Sequence, residues 1–335
     1  MNMDRNETAQ LTNPVAAEPA TTAKEILVKG KPISVDTIVV DGKTIVVTGK
    51  FMRTARLENE WYEDADAPRS LIDGIRKSRI RADILTFWQR LPNTTPQFSY
   101  YHEWDSIAAI PITSVDHWLT KQLNTKARNL LRKSAKAGVV VTQASFDEAF
   151  IKGMADIFNE TPVRQNKPFF HYGKDAETIK REFSRYLFRE ELFGAFQDNA
   201  LLGFMFLADA GRYGMLGQIL SKIEHRDKAP TNALIAKAVE ICAQKGLPYL
   251  VYDIWVTGTL GHFKAQNGFE KFDLPRYYVP LTPKGRLILK LGLHHGLAGV
   301  IPNRLRAYLV KLRNSWYSRQ QRLATSSIQS SKSQS

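Results

Sequence analysis

The apolar positions change period repeatedly along the chain, and each change marks an element. Val35-Asp36-Thr37-Ile38-Val39-Val40 and Lys43-Thr44-Ile45-Val46-Val47-Thr48 are rich in β-branched residues. They flank Asp41-Gly42, a dipeptide that supplies the two left-handed positions of a tight hairpin turn. A loop of acidic and aromatic residues over 58–68 precedes a helix expected at 69–80 and strands at 82–88 and 106–112, with Pro92 and Pro96 breaking the chain between the strands. From residue 116 the expected order is α-β-α-α-β-β-β-α-β-α-β. Its helices fall at 116–137, 146–160, 175–189, 231–245 and 258–267, the first with Ser114 as N-cap and Gly138 after its last turn. Its strands fall at 139–144, 192–198, 201–209, 213–221, 249–255 and 271–281, and Asn199 turns a hairpin between the second and third.

A chain of 335 residues that is 43% hydrophobic and 10% aromatic has ample material for a packed core. Its single cysteine, Cys242, excludes an internal disulfide and fits a reducing, cytoplasmic compartment. Residues 1–24 lack the apolar core of a signal peptide and read as disordered. No run approaches the ~18 apolar residues of a membrane span. A soluble protein, peripheral to a membrane at most, is expected.

The net charge of +14 is concentrated at one end. No acidic residue follows Asp273, whereas eleven Lys and Arg do, so the first 273 residues hold 36 basic against 33 acidic side chains. Within 284–322, Leu305, Tyr308, Leu309, Leu312 and Trp316 recur at helical spacing while Arg304, Arg306, Lys311 and Arg313 take other faces. That pattern suits an amphipathic helix on an anionic membrane surface, with RNA binding or docking on the body as alternatives. Residues 323–335 read as disordered. The adjacent His294 and His295 have no further ligand at useful spacing, so no metal site is expected.

Two segments carry the functional signal. Arg-x-x-x-Arg-Lys-x-x-Lys-x-Gly-Val-x-Val spans 128–141, and Phe-Lys-x-x-Asn-Gly-Phe-Glu spans 263–270. With the element order, they resemble the GNAT acyltransferase fold, and within it the branch of FemAB-type peptidoglycan aminoacyltransferases. The resemblance covers about 116–281. It implies an α/β (α+β) fold, a mixed and mostly antiparallel sheet flanked by helices. Residues 25–115 would form a degenerate first GNAT half, 116–283 the acyltransferase domain, and 284–322 the basic helical tail.

The resemblance also implies where a cofactor would sit. GNAT enzymes hold the acyl-CoA pyrophosphate at a helix N-terminus after the fourth strand, in a loop reading Gln/Arg-x-x-Gly-x-Gly/Ala. The corresponding stretch here is Arg226-Asp227-Lys228-Ala229-Pro230-Thr231. Gln218, Arg226, Lys228, Ala229, Thr231 and Asn232 are the residues expected to meet the cofactor. Ala and Thr replace the two glycines, and Pro230 contributes no N–H. FemAB-type proteins also lack a clean version of this loop and take the acyl group from aminoacyl-tRNA. Acyl-CoA, with acetyl-CoA first, and aminoacyl-tRNA both remain open as donors. The near-neutral body argues against a broad RNA surface, although Arg128, Arg132, Lys133 and Lys136 could meet phosphate as well as form a solvated helix face.

Acyl transfer needs a proton acceptor, donors for an oxyanion, and aligned substrates. The densest polar cluster, 159–174, lies where GNAT proteins build the acceptor site. Glu160 and His171 are candidate bases there, and Arg164, Gln165, Tyr172 and Lys174 candidate acceptor contacts. The bland alternative is a solvated loop with His171 and Tyr172 packed on the helix below. Asp253, between Tyr252 and Trp255, is a third candidate base if strand alternation turns it into the cleft. The expected function is acyl or aminoacyl transfer to an amine of a glycan or lipid-linked cell-envelope precursor. A non-catalytic GNAT-fold binding module at the membrane is the alternative.

Overall fold

The computed structural model describes residues 21–28, 31–164, 167–184 and 187–295. They form two compact units. One draws on Met1–Glu60, Ala65–Phe87 and Val279–Leu287, the other on Trp61–Asp64, Trp88–Tyr278 and Ile288–Ser335. The second unit thus begins 28 residues ahead of the expected boundary at 116 and also claims Trp61–Asp64.

In the first unit, β1 (Thr22–Val28), β2 (Lys31–Val40), β3 (Lys43–Thr48) and β4 (Thr54–Leu57) pair antiparallel in sequence order. The turn at Asp41-Gly42 takes φ 50° and 73°, as its sequence requires. Helix α1 (Pro68–Lys77) lays Leu71, Ile72 and Ile75 on the sheet, and β5 (Ile84–Trp88) runs parallel to β4. β1 occupies part of the N-terminal stretch expected to lack structure, and β4 was not anticipated. Both are short strands whose partner supplies the hydrogen bonds that their own pattern does not announce.

The second unit holds seven strands in the order β14-β6-β13-β12-β11-β10-β7. In chain order they are β6 (Tyr101–Pro111), β7 (Val140–Gln143), a two-residue pair β8 (Val163–Arg164) and β9 (Lys167–Pro168) outside that sheet, β10 (Glu190–Gln197), β11 (Ala200–Asp209), β12 (Gly214–Ser221), β13 (Tyr249–Ile254) and β14 (Glu270–Pro280). All neighbours in the seven-stranded order are antiparallel except β12 and β13. The unit's helices are α2 (Val115–His117), α3 (Thr125–Lys136), α4 (Glu148–Asn159), α5 (Ala176–Phe183), α6 (Pro230–Gln244) and α7 (Thr259–Gln266), while α8 (Pro283–Lys290) begins in the residues of the first unit and ends in those of the second. The mixed, mostly antiparallel sheet flanked by helices is the architecture expected.

Alternation along β11 shows how the layers form. Met205 and Leu207 join α3 and α6 in one apolar cluster, with Leu234, Ile235, Ala238 and Val239 at its centre. Phe204 and Phe206 join α4 and α5 in another, built on Phe150, Met154, Phe158 and Phe183. Cys242 lies in the first cluster, where burial pushes its thiol up to about 12, so it acts as core filler.

One element departs from its sequence pattern. The expected helix over 116–137 is broken. A π-turn at Trp118–Gln122 follows α2, Leu123 is extended, and Asn124 caps α3 by accepting from Ala127 N–H at 2.8 Å. The Asn-Thr start of a new helix outcompeted continuation. Arg128 then reaches back to the carbonyls of Leu119, Thr120 and Leu123, so this motif arginine bridges the break. The expected amphipathic tail at 284–322 lies outside the described residues beyond His295.

Arg90 pins Trp61–Asp64 to the second unit. Its buried guanidinium donates to both oxygens of Asp64 at 3.0 and 2.8 Å, to Trp61 O at 2.9 Å and to Ala210 O at 3.2 Å. Arg90→Ala is expected to cost about 2 kcal/mol, because Ala210 O loses this donor while Asp64 keeps Arg212 at 3.0 Å and Trp61 O keeps Tyr213 OH at 2.7 Å. Urea unfolding measures this, and an unchanged midpoint would refute the assignment.

Candidate functional site

β12 and β13 pair only at Gly214↔Leu250 and Met215↔Val251. Beyond that point the two strands have no further pairing, although β12 continues to Ser221 and β13 to Ile254. Two irregularities produce the parting. In β12 the register shifts beside Phe206/Leu207, leaving Gly217 as the extra residue of a bulge. In β13 the register shifts between Val251 and Ile254, where Asp253 adopts φ 54°. Such a conformation costs a non-glycine residue of order 1 kcal/mol and is most tolerable for Asp or Asn.

Parted strands expose backbone groups that must find partners elsewhere. On the β13 side Lys264 of α7 supplies them. Its ammonium donates to Tyr252 O at 2.6 Å and Ile254 O at 2.7 Å and lies 4.4 Å from the centre of the Tyr252 ring. The residue is 1% exposed, and burial brings its pKa down to about 8 against the attraction of Asp253. On the β12 side Arg164 donates to Ser221 O at 2.9 Å, to Ile157 O at 2.9 Å and to Glu160 at 3.0 Å.

The candidates from the 159–174 cluster are brought together, but as a scaffold. Glu160 accepts from Ile223 N–H at 2.7 Å and Glu224 N–H at 2.9 Å as well as from Arg164. Its carboxylate therefore holds the chain leaving β12. His171 stacks on Phe158 at 4.4 Å and is surrounded by Phe169, Phe170 and Phe183. Burial, with Lys174 and Arg164 nearby, brings its pKa down to about 4, so the imidazole is neutral near pH 7. Lys174 bonds His171 Nδ1 at 3.1 Å and pairs with Glu182. Tyr172 is exposed, and Gln165 lies outside the described residues.

Asp253 is exposed rather than enclosed by its apolar strand, because the bulge breaks the alternation on which an inward orientation depends. Gln218 is half-buried, opposite Phe206 on the α4–α5 face. Around the entry to α6, Arg226 is exposed, and Lys228 is turned away to Gln197 Oε1 at 2.6 Å. Ala229 is buried at φ 52° with its N–H bonded to Arg226 O, and Lys228 N–H is bonded to His225 O. Thr231 shares a hydrogen bond with Ser221 at 2.8 Å. Asn232, expected at the cofactor, is buried and donates to Asn267 Oδ1 at 2.8 Å, tying α6 to α7. The turn is thus closed on itself.

The sequence reading passed over Glu190. It starts β10, is 8% exposed, and its carboxylate accepts from Tyr62 OH at 2.7 Å. It lies directly against Gly217, so a Cβ at that position would strike the Glu190 carboxylate. Gly217 itself is exposed, at the bulge of β12 beyond the last residue that pairs with β13. Burial raises the Glu190 pKa, opposed only by the Tyr62 bond. The available signal was an isolated glycine within a strand pattern, which marks a bulge or a close approach.

Glu160→Ala is expected to lower stability by about 3 kcal/mol, since two backbone N–H groups and the Arg164 guanidinium lose one acceptor. Denaturant midpoints test this, and wild-type stability would show that the carboxylate does not hold the loop.

No family model matches the sequence, and no curated protein matches it. Solved structures do match. FemX superposes with TM-score 0.54 at 12% identity, covering 80% of this chain and 90% of its own. The C-terminal domain of a protein named as a lysylphosphatidylglycerol synthetase, from Agrobacterium fabrum, gives TM-score 0.50 at 11% identity, covering 77% and 88%. A tandem GNAT protein from the clavulanic acid biosynthesis pathway gives 0.41 at 14% identity, covering 80% and 85%. The likenesses to FemX and to the synthetase domain show that the chain has a GNAT-like fold similar to theirs.

Proposed function

We propose that the second unit is an aminoacyl- or acyltransferase acting on an amine of a cell-envelope precursor, with the reaction at the notch between β12 and β13. The observation that carries this reading is Glu190, a buried carboxylate with a raised pKa packed against Gly217, the bulge residue of β12. A poised carboxylate beside a gap in a sheet is the arrangement a proton acceptor needs. The amine nitrogen attacks the donor carbonyl, Glu190 takes the one proton the nitrogen loses, and that proton passes to the carrier oxygen or sulfur as its bond to the acyl carbon breaks and the amide forms. The edge of β12 that no longer pairs with β13 beyond Met215, although β12 stays paired to β11, would offer N–H donors for the developing oxyanion. FemX and the lysylphosphatidylglycerol synthetase domain support the envelope setting by likeness of fold. The lipid-linked or glycan identity of the acceptor, and a membrane-surface role for the basic C-terminal segment, belong to the same proposal.

For the donor, the entry to α6 favours an aminoacyl ester over acyl-CoA. Pro230 brings no N–H, and the N–H groups of Lys228 and Ala229 are spent inside the turn, leaving few donors for a pyrophosphate. Whether the ester is carried by tRNA is part of the proposal.

Two experiments test the reading. Glu190→Gln should lower transfer by about a hundredfold or more, while Tyr62 can still donate to the new amide oxygen. Wild-type activity should fall as pH drops through the raised Glu190 pKa. The native state holds that proton more tightly than the unfolded chain, so ionisation costs stability as pH rises from the ordinary carboxylate range through the raised value. The variant should therefore be at least as stable as wild type at neutral pH. Loss of stability with undiminished transfer would sink the assignment. In the second experiment, the full chain is titrated with acetyl-CoA against a polyphosphate of similar charge. No specific rise in melting temperature is expected, and a saturable one would restore acyl-CoA as donor.

A further inference from the structure

After α8 the described chain ends in a 3-10 turn, Leu293–His295, which belongs to the second unit. Both histidines of that turn direct Nε2 at one carboxylate on β6. His294 Nε2 lies 2.8 Å from Glu103 Oε1, and His295 Nε2 lies 2.7 Å from Glu103 Oε2. The two rings sit side by side with centroids 4.1 Å apart. His294 has a side chain 2% exposed, and its Nδ1 is buried with no hydrogen-bond partner. Nε2 is therefore its polar attachment, and the ring is otherwise positioned by Tyr278 at 4.7 Å and Tyr101 at 6.2 Å. Tyr101 OH donates to Glu103 Oε1 at 2.9 Å and fixes the carboxylate.

A single ion pair would need only one of these imidazoles. Here one ligand atom from each of three residues falls within 4.8 Å of the other two, brought together from positions 191 residues apart. Two imidazole nitrogens and a carboxylate oxygen form the donor set that borderline cations of the zinc type prefer, whereas calcium and magnesium favour all-oxygen sites. Tyr101 stands where an outer partner orients a ligating carboxylate.

We propose that Glu103, His294 and His295 form a binding site for a divalent transition-metal ion of the zinc class, with a fourth position for water. The bound ion clips the turn at 293–295 to β6 and so fixes the point from which the basic residues after 295 continue. This site is separate from the notch and does not depend on the acyl-transfer reading.

The test uses the full chain stripped with chelator. Calorimetric titration with Zn²⁺ should show one saturable site, with a rise in melting temperature that Mg²⁺ and Ca²⁺ do not give. Co²⁺ should give the absorption bands of a four-coordinate site. Glu103→Gln and His295→Ala should abolish both signals, and Tyr101→Phe should weaken binding by about tenfold. His295 is 44% exposed, so its variant should melt like the chelated wild type, and His117→Ala, on the exposed α2, should bind as wild type. Absence of saturable binding in wild type, or undiminished binding in His295→Ala, overturns the proposal.

Discussion

The second unit depends on one unmade interaction, the hydrogen bonding that β12 and β13 forgo after Met215 and Val251. A sheet interrupted in its middle leaves strand backbone without partners, and each buried orphan costs roughly 1–3 kcal/mol. Much of the polar chemistry nearby compensates for it. Lys264 occupies two carbonyls of β13, and Arg164 caps the last carbonyl of β12. Glu160 then holds the N–H groups of Ile223 and Glu224. The parting is stable because these side chains substitute for a strand.

This explains why the residues with the most suggestive chemistry in the sequence are mostly structural supports. Glu160 and Arg164 look like an acid and a cation in a polar loop, yet they hold one strand end in place. His171 looks like a base, yet four phenylalanines with Lys174 and Arg164 keep it neutral in an aromatic layer. Glu190 has the opposite history. A glutamate at the start of a strand is unremarkable in sequence, and its character comes from burial against Gly217 with one tyrosine for company. A group that costs the native state stability when ionised, and that no structural bond requires to be charged, is the kind that function retains.

The histidine pair follows the same logic from another direction. Adjacent histidines carry no metal signal by spacing, because the third ligand arrives through pairing of β6 and the return of the chain after α8.

The sequence by itself determined the order of the main elements from residue 116 onward, the Asp41-Gly42 hairpin and the hairpin across Asn199, since these follow from local periodicity and turn chemistry. It also determined the FemAB-related likeness, because the segments at 128–141 and 263–270 are contiguous and their helix-to-strand turns are local events. Tertiary structure alone decided the parting of β12 from β13, the exposure of Asp253 and the placing of Glu190 and Glu103. Each of these rests on contacts between residues distant in the chain. Alternation tells which residues share a face only while the register runs unbroken, and at Gly217 and Asp253 it does not.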